Sequence, residues 1–261
     1  MVGQLSAPPL EGAALERVPR LCNTAALFLD VDGTLLDLAA RPDDVVTPAD
    51  LIPTLAKVER KLAGALALIS GRSIDDMDRL FAPLSLRASG VHGAETRLDP
   101  DAPPKLTAGV DLPRFLLTDL RRAVAPFPGV FVEDKRFSYT VHYRLAQFAE
   151  RPLRAIVKEL VDSIPISVEI MDAHCAIEIK SPNFDKGSAI AAFLSTVTFS
   201  GRTPIFVGDD TTDETGFALV AARGGFGYSV GSPRPGAIGA FPEPQAVREW
   251  LAEFAVRGAQ V

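Results

Sequence analysis

The first sharp feature along the chain is Ala25-Ala26-Leu27-Phe28-Leu29, a continuous apolar run that stops at Asp30. A run with no polar alternation marks a strand covered on both faces, as in a parallel sheet flanked by helices. The period then lengthens. Residues 48–62 predict a helix with Thr47 as N-cap and Pro48 at the first helical position. Residues 65–69 form a second buried run, ending in Ser70-Gly71-Arg72. Ser73, with Asp76 three residues on, has the form of a capping box opening another helix, and residues 86–89 predict a third strand leading into Gly90.

The pattern changes after about residue 109. A helical stretch at 111–125 precedes two strand-like runs, 130–133 and 137–143, and the same order repeats as a helix at 153–163 with strands at 166–171 and 173–180. This reads as a two-layer module of helix-strand-strand units. Beyond it the first pattern resumes, with a helix at 186–196, a strand at 204–207, a helix from about 211 and a last helix at 243–256. The architecture that follows is α/β: a doubly wound, Rossmann-like parallel-sheet core made of residues 1–108 and 183–261, with an α+β cap inserted at 109–182. Ligands are expected beyond the carboxyl ends of the core strands. Residues 1–20 read as a tail or a loose first helix, and the Gly- and Pro-rich segment at 231–239 predicts no element.

Composition narrows the function classes. Acidic residues outnumber basic ones, 33 to 27, and Lys and Arg are dispersed, which argues against nucleic acid or an anionic membrane as partner. No run approaches the roughly 20 apolar residues of a membrane span. Cys22 and Cys175, far apart and without metal-ligand spacing, indicate neither a disulfide framework nor a zinc site and suit a reducing, cytoplasmic setting. A monomer is compatible with all of this.

The chemistry-bearing residues cluster at predicted strand ends. Asp30-Val31-Asp32-Gly33-Thr34 puts two carboxylates two residues apart just after a buried strand, and the glycine permits a sharp turn. Gly208-Asp209-Asp210, followed by Asp213 and Glu214, is a second acidic cluster at another strand end. Two acidic loops at one sheet edge invite a hard divalent cation such as Mg²⁺, although acids at a helix start also serve the macrodipole. Ser70-Gly71-Arg72 supplies a hydroxyl, an unhindered amide and a guanidinium for an anion. Asp185-Lys186-Gly187 opens a helix, where the lysine opposes the macrodipole unless an anion compensates it.

In this order and placement, the four pieces resemble the four motifs of the haloacid dehalogenase superfamily of phosphatases. The resemblance implies Asp30 as nucleophile, Asp32 as general acid and base, and Ser70 and Lys186 as phosphate holders. Mg²⁺ would be bound by Asp30, the Asp32 main-chain carbonyl, Asp209 and Asp213. Further segments, Gly90-Val91-His92-Gly93-Ala94-Glu95, Glu133-Asp134-Lys135, His142-Tyr143-Arg144 and Glu178-Ile179-Lys180, look like those of the trehalose-6-phosphate phosphatase family. That likeness implies a small sugar phosphate as ligand, with Glu133, Lys135 and Glu178 on the sugar hydroxyls, and adds Thr34, Arg72, His92, Glu95 and Arg144 as substrate contacts and Tyr143 as a ring-stacking candidate. Cap residues that alternate with apolar neighbours would look the same on any half-solvated sheet. A different capped sugar phosphatase, or a sugar-phosphate sensor without turnover, stays open at this level.

Overall fold

The computed structural model describes residues 21–106, 112–135, 137–173, 175–182 and 184–256. The expected N-terminal tail, and the start of the helix placed at residue 111, lie outside them. In chain order the elements are β1 (Ala25–Leu29), α1 (Leu51–Lys61), β2 (Leu66–Ile69), α2 (Ile74–Phe81), β3 (Arg87–Gly90), β4 (Glu95–Arg97) and β5 (Lys105–Leu106). Next come α3 (Arg114–Val124), β6 (Phe131–Asp134), β7 (Ser138–His142), α4 (Glu150–Asp162), β8 (Glu169–Ala173) and β9 (Ala176–Lys180). The chain closes with α5 (Lys186–Leu194), β10 (Thr203–Gly208), α6 (Glu214–Ala222), β11 (Phe226–Val230), β12 (Gly239–Phe241) and α7 (Pro244–Val256).

Two sheets result. The larger has the order β12-β11-β10-β1-β2-β3-β4-β5, parallel from β12 to β3 and antiparallel for the last two strands. Every residue of β1 is buried, as its unbroken apolar run requires, and Phe28 packs on Phe199 with ring centroids 5.3 Å apart. Burying a side chain of this size is worth roughly 1.5–3 kcal/mol. The smaller sheet is antiparallel, β6-β7-β9-β8. One face packs Tyr139, Val141, Ile177 and Ile179 against Leu116, Leu120, Leu153 and Val157 of α3 and α4. A third cluster, Val91, Ala94, Phe137 and Phe184, joins the two units. Among the described residues no helix is long and apolar enough to cross a membrane.

Several element boundaries differ from the sequence expectation for local reasons. Helix α1 starts at Leu51 rather than 48, because the Thr47 hydroxyl does not cap it but donates to the Leu80 carbonyl at 2.9 Å. Ser73 does cap α2, its hydroxyl accepting from the Asp76 amide at 3.1 Å, yet the Asp76 carboxylate turns to Arg79 at 2.6 Å and leaves only half of a capping box. Helix α4 begins at Glu150, ahead of the expected 153, with Pro152 in its first turn where an absent N–H is tolerated. The hairpin strands shift to 169–173 and 176–180, since Ala173 pairs with Ala176 across the turn. Strands β4, β5, β11 and β12 were not foreseen. They are short or broken by glycine, and pairing with a neighbouring strand defines them more than their own periodicity does.

Candidate active site

Parallel strands deliver their C-terminal loops to one edge. Asp30 follows β1, Ser70 follows β2, and Asp209 follows β10, with β1 lying between the other two. Gly33 makes the turn after Asp30 with φ +78°, and a Cβ there would fall 2.1 Å from Asp209 Oδ2, so the first acidic loop closes directly against the second. Helix α5 brings Lys186 from below. Its N-terminus is capped by Asp185, which accepts from the Ser188 amide at 2.6 Å. The lysine that opposed the macrodipole meets its compensation here, since Nζ lies 2.8 Å from Asp30 Oδ1 and 2.5 Å from Asp213 Oδ1.

The charges of this group do not balance locally. Oxygens of Asp30, Asp209 and Asp213 lie within 4.8 Å of one another, with Lys186 the ammonium among them. Burial, reinforced by Asp213 and Asp32 and opposed by Lys186, pushes the Asp30 carboxyl up to about 7. Burial together with Asp30 and Asp213 pushes Asp209 up to about 9. For Lys186 burial works against the charge, but Asp213 and Asp30 outweigh it and raise its pKa. An all-oxygen, net-negative cluster of this kind fits a hard divalent cation, which would remove the repulsion. Asp213 acts first on the protein, because its Oδ2 accepts from the amides of Asp209 and Asp210 at 2.9 Å each while Oδ1 holds Lys186. The acids at this helix start therefore serve the turn and the site together.

A pH prediction follows. With their folded pKa values raised, Asp30 and Asp209 make the native protein bind more protons than the unfolded chain from about pH 4 up to about 7 and about 9 respectively. That contribution to stability is lost as pH rises through this window. In EDTA the Tm is expected to fall between pH 5.5 and 9, and a divalent cation should raise it more at pH 9 than at 5.5. A Tm indifferent to pH and cation would show that these carboxylates do not share a site.

Ser70 and Arg72 line the same cleft. The Arg72 amide donates to Ser70 Oγ at 3.1 Å, and its guanidinium holds Asp32 through two bonds, 2.6 and 2.7 Å. Thr34 is not among the lining residues; its buried hydroxyl donates to Asp209 Oδ1 at 3.5 Å and steadies the acidic loop. Glu95 is likewise outside the lining residues. Its carboxylate accepts from the Ile74 amide at 3.0 Å, at the N-terminus of α2, where a negative charge is favoured.

His92 lies in the left-handed region with φ +54°, next to Val91 at +47°. A β-branched residue there is strained by about 1–3 kcal/mol. Main-chain bonds from Val91 to Arg72 O and from His92 to Ser70 O, 2.9 and 3.0 Å, hold the turn. The conformation aims the imidazole across the cleft, where Nε2 meets Glu178 Oε2 at 3.0 Å. From there a row of alternating charge crosses the small sheet. Lys135 Nζ is 4.0 Å from Glu178 and 3.9 Å from Glu133, and His142 Nε2 is 2.7 Å from Glu133. Burial would raise the pKa of Glu178, but His92 and Lys135 hold it well below the usual carboxylate range. Glu133 is lowered in the same way, with His142 and Lys135 overcoming burial.

At the mouth, Arg144 donates to the carbonyl of Ala39, and Arg41 lies over the Phe131 ring, which stacks on His142 at 4.6 Å. Tyr143 belongs to the apolar cluster beneath the sheet. Thr140 is a residue of the cleft that the sequence does not single out. It shares a strand face with His142 by period two, a signal that gives the face without saying what covers it. Arg234, from the unassigned 231–239 segment, donates to the Asp209 carbonyl at 3.0 Å and so braces the acidic loop.

The trehalose-phosphatase family model matches residues 28–234. A Sinorhizobium fredii protein named "Probable trehalose-phosphate phosphatase" is 40% identical over 234 residues, covering 88% of each chain. The Escherichia coli trehalose-6-phosphate phosphatase is 39% identical over 222 residues, 84% of this chain and 82% of its own. A crystal structure of a trehalose-6-phosphate phosphatase related protein superposes with a TM-score of 0.73 at 26% identity, over 88% of this chain and 96% of that one. With a match that runs from β1 through the small sheet to the loop after β11, and relatives at 40% and 39% identity, the chain belongs to the trehalose-phosphatase family.

Proposed function

We propose that this protein hydrolyses trehalose 6-phosphate to trehalose and inorganic phosphate, with Mg²⁺ as its cation. The observation that carries the reading is one cleft holding two unlike halves: an acid-and-lysine cluster around Asp30, and facing it the row His92, Glu178, Lys135 and Glu133. The first half suits phosphoryl transfer. The second presents fixed charged partners to neutral hydroxyls, the contact a sugar ring needs for orientation. Residues 109–182 act as the cap that closes over the phosphate.

In the reaction a carboxylate oxygen of Asp30 attacks phosphorus and the bond to the sugar oxygen breaks, leaving an aspartyl phosphate. Asp32 gives its proton to the departing sugar oxygen, then takes one from the water that attacks the phosphoaspartate and restores Asp30. A protonated Asp32 cannot accept both bonds from Arg72, so proton delivery requires that pair to open, with Arg72 turning to the phosphate. Lys186 and Ser70 hold the phosphate oxygens. Asp30, the Asp32 main-chain carbonyl and Asp209, with Asp213 behind them, would hold the cation, whose charge would let a carboxylate approach a phosphate dianion.

The test is phosphate release from trehalose 6-phosphate, sucrose 6-phosphate, mannosyl 3-phosphoglycerate and glucose 6-phosphate, each in Mg²⁺ and in EDTA. Release from trehalose 6-phosphate that stops in EDTA is the expected result. Preference for another sugar would discard the cap assignment and keep the phosphoryl-transfer half, whereas no release from any would point to a binding protein.

A further inference from the structure

Glu133, Thr140 and Glu178 stand in direct register across β6, β7 and β9. Residues opposite one another on adjacent strands share a face, so these three form one line across the sheet, on the side turned toward Asp30. All three line the cleft. The outer two have charged partners, while the middle one does not. Thr140 is 2% exposed and its Oγ1 has no hydrogen-bond partner; Oε1 of Glu178, opposite it across the strands, has none of good geometry, although the Ser138 hydroxyl also acts on that carboxylate.

Buried polar side-chain atoms are nearly always paired, so an orphan hydroxyl asks for a reason. The fold supplies none. At the centre of an antiparallel sheet, with Tyr139 and Val141 packed into the apolar layer on the other face, valine would fill the same β-branched shape at position 140 without an unmet donor. The orphan acceptor on Glu178 complements it. One ring hydroxyl can donate to Glu178 Oε1 and accept from Thr140 Oγ1, satisfying both atoms at once.

We propose that Thr140 is a specificity-determining substrate contact, its hydroxyl donating to a sugar hydroxyl that Glu178 also binds. This rests on the functional reading above. Because the hydroxyl is unpaired without ligand and paired with it, its removal should move stability and affinity in opposite directions.

The experiment compares wild type, Thr140→Val and Thr140→Ser, reading kcat and KM for trehalose 6-phosphate and the Tm without substrate. Thr140→Val is expected to raise KM about 3- to 10-fold with kcat little changed, the mark of a lost uniform binding contact, while its Tm stays level or rises. Thr140→Ser, which keeps the hydroxyl, should stay within about 2-fold of wild-type KM, as expected for a retained hydrogen bond. A Thr140→Val protein with unchanged KM, or one whose KM worsens only as its Tm falls, would overturn the contact. If wild type releases no phosphate from trehalose 6-phosphate, the functional reading fails and the contact with it. If wild type turns over and the valine variant matches it, the contact alone fails.

Discussion

Asp30→Asn is expected to abolish turnover of trehalose 6-phosphate, lowering kcat by at least about 10⁴-fold, the scale seen when a covalent nucleophile is removed. The amide fills the same space but cannot form the phosphoaspartate, and neither Asp213 nor Asp32 is free to replace it. Asp213 is committed to Lys186 and to two main-chain amides, and Asp32 to Arg72. The same substitution should leave the fold intact. It deletes one of three crowded carboxylates, whose pKa burial and neighbours push up to about 7, while Lys186 keeps Asp213 at 2.5 Å. In the absence of cation at pH 8 the Tm should equal or exceed that of wild type. Residual turnover above about 1% would remove Asp30 from the nucleophile role, since missing nucleophiles leave far less. Lost turnover accompanied by a large drop in Tm would make the result structural.

Lys186→Met should lower activity and stability together. The ammonium is buried, with 3% of its side chain exposed, between two carboxylates that are equally enclosed. Methionine of similar length leaves Asp30 and Asp213 facing each other without a counter-charge. Breaking a buried ion cluster from one side typically costs about 3–5 kcal/mol. For a chain of this size that is on the order of 10 °C in Tm. Turnover should fall about 10²- to 10³-fold, as when one electrostatic donor to a developing charge is lost. A cation would then be the remaining counter-charge, so the rise in Tm on adding Mg²⁺ should be larger in the variant than in wild type. Thermal melts with and without Mg²⁺, beside phosphate release, decide it. A variant that keeps wild-type Tm and turnover would mean that Lys186 does not hold the phosphate or balance the cluster.

The two halves of the cleft were legible to different degrees. Asp30, Ser70 and Asp209 could be placed from the chain alone, because each ends a buried apolar run. Parallel strands in one sheet necessarily bring such ends to the same edge. The lysine at 186 stood out by opposing its own helix, a local conflict that only nearby anions resolve. The small sheet was harder. Glu133, Lys135 and Glu178 were picked out by family likeness, since alternation alone would equally describe a solvated face. Thr140, on the same strand face, carries no mark in the sequence for that reason. Thr34 and Glu95 belong to the same motif segments, and the structure places the Thr34 hydroxyl against Asp209 and the Glu95 carboxylate at the N-terminus of α2.

By itself, then, the sequence determined the α/β class, the change of pattern between the parallel strands and the later antiparallel ones, and the acidic strand ends. These follow from hydrophobic period and chain order, which are local or nearly so. Tertiary structure decided which side chains meet across the cleft: the pairing of Asp32 with Arg72, the reach of His92 to Glu178 through a strained turn, and the unpartnered hydroxyl of Thr140. Those contacts join residues as many as 86 positions apart, and they depend on rotamer, register and the packing of one sheet over another, quantities that no short window of sequence contains.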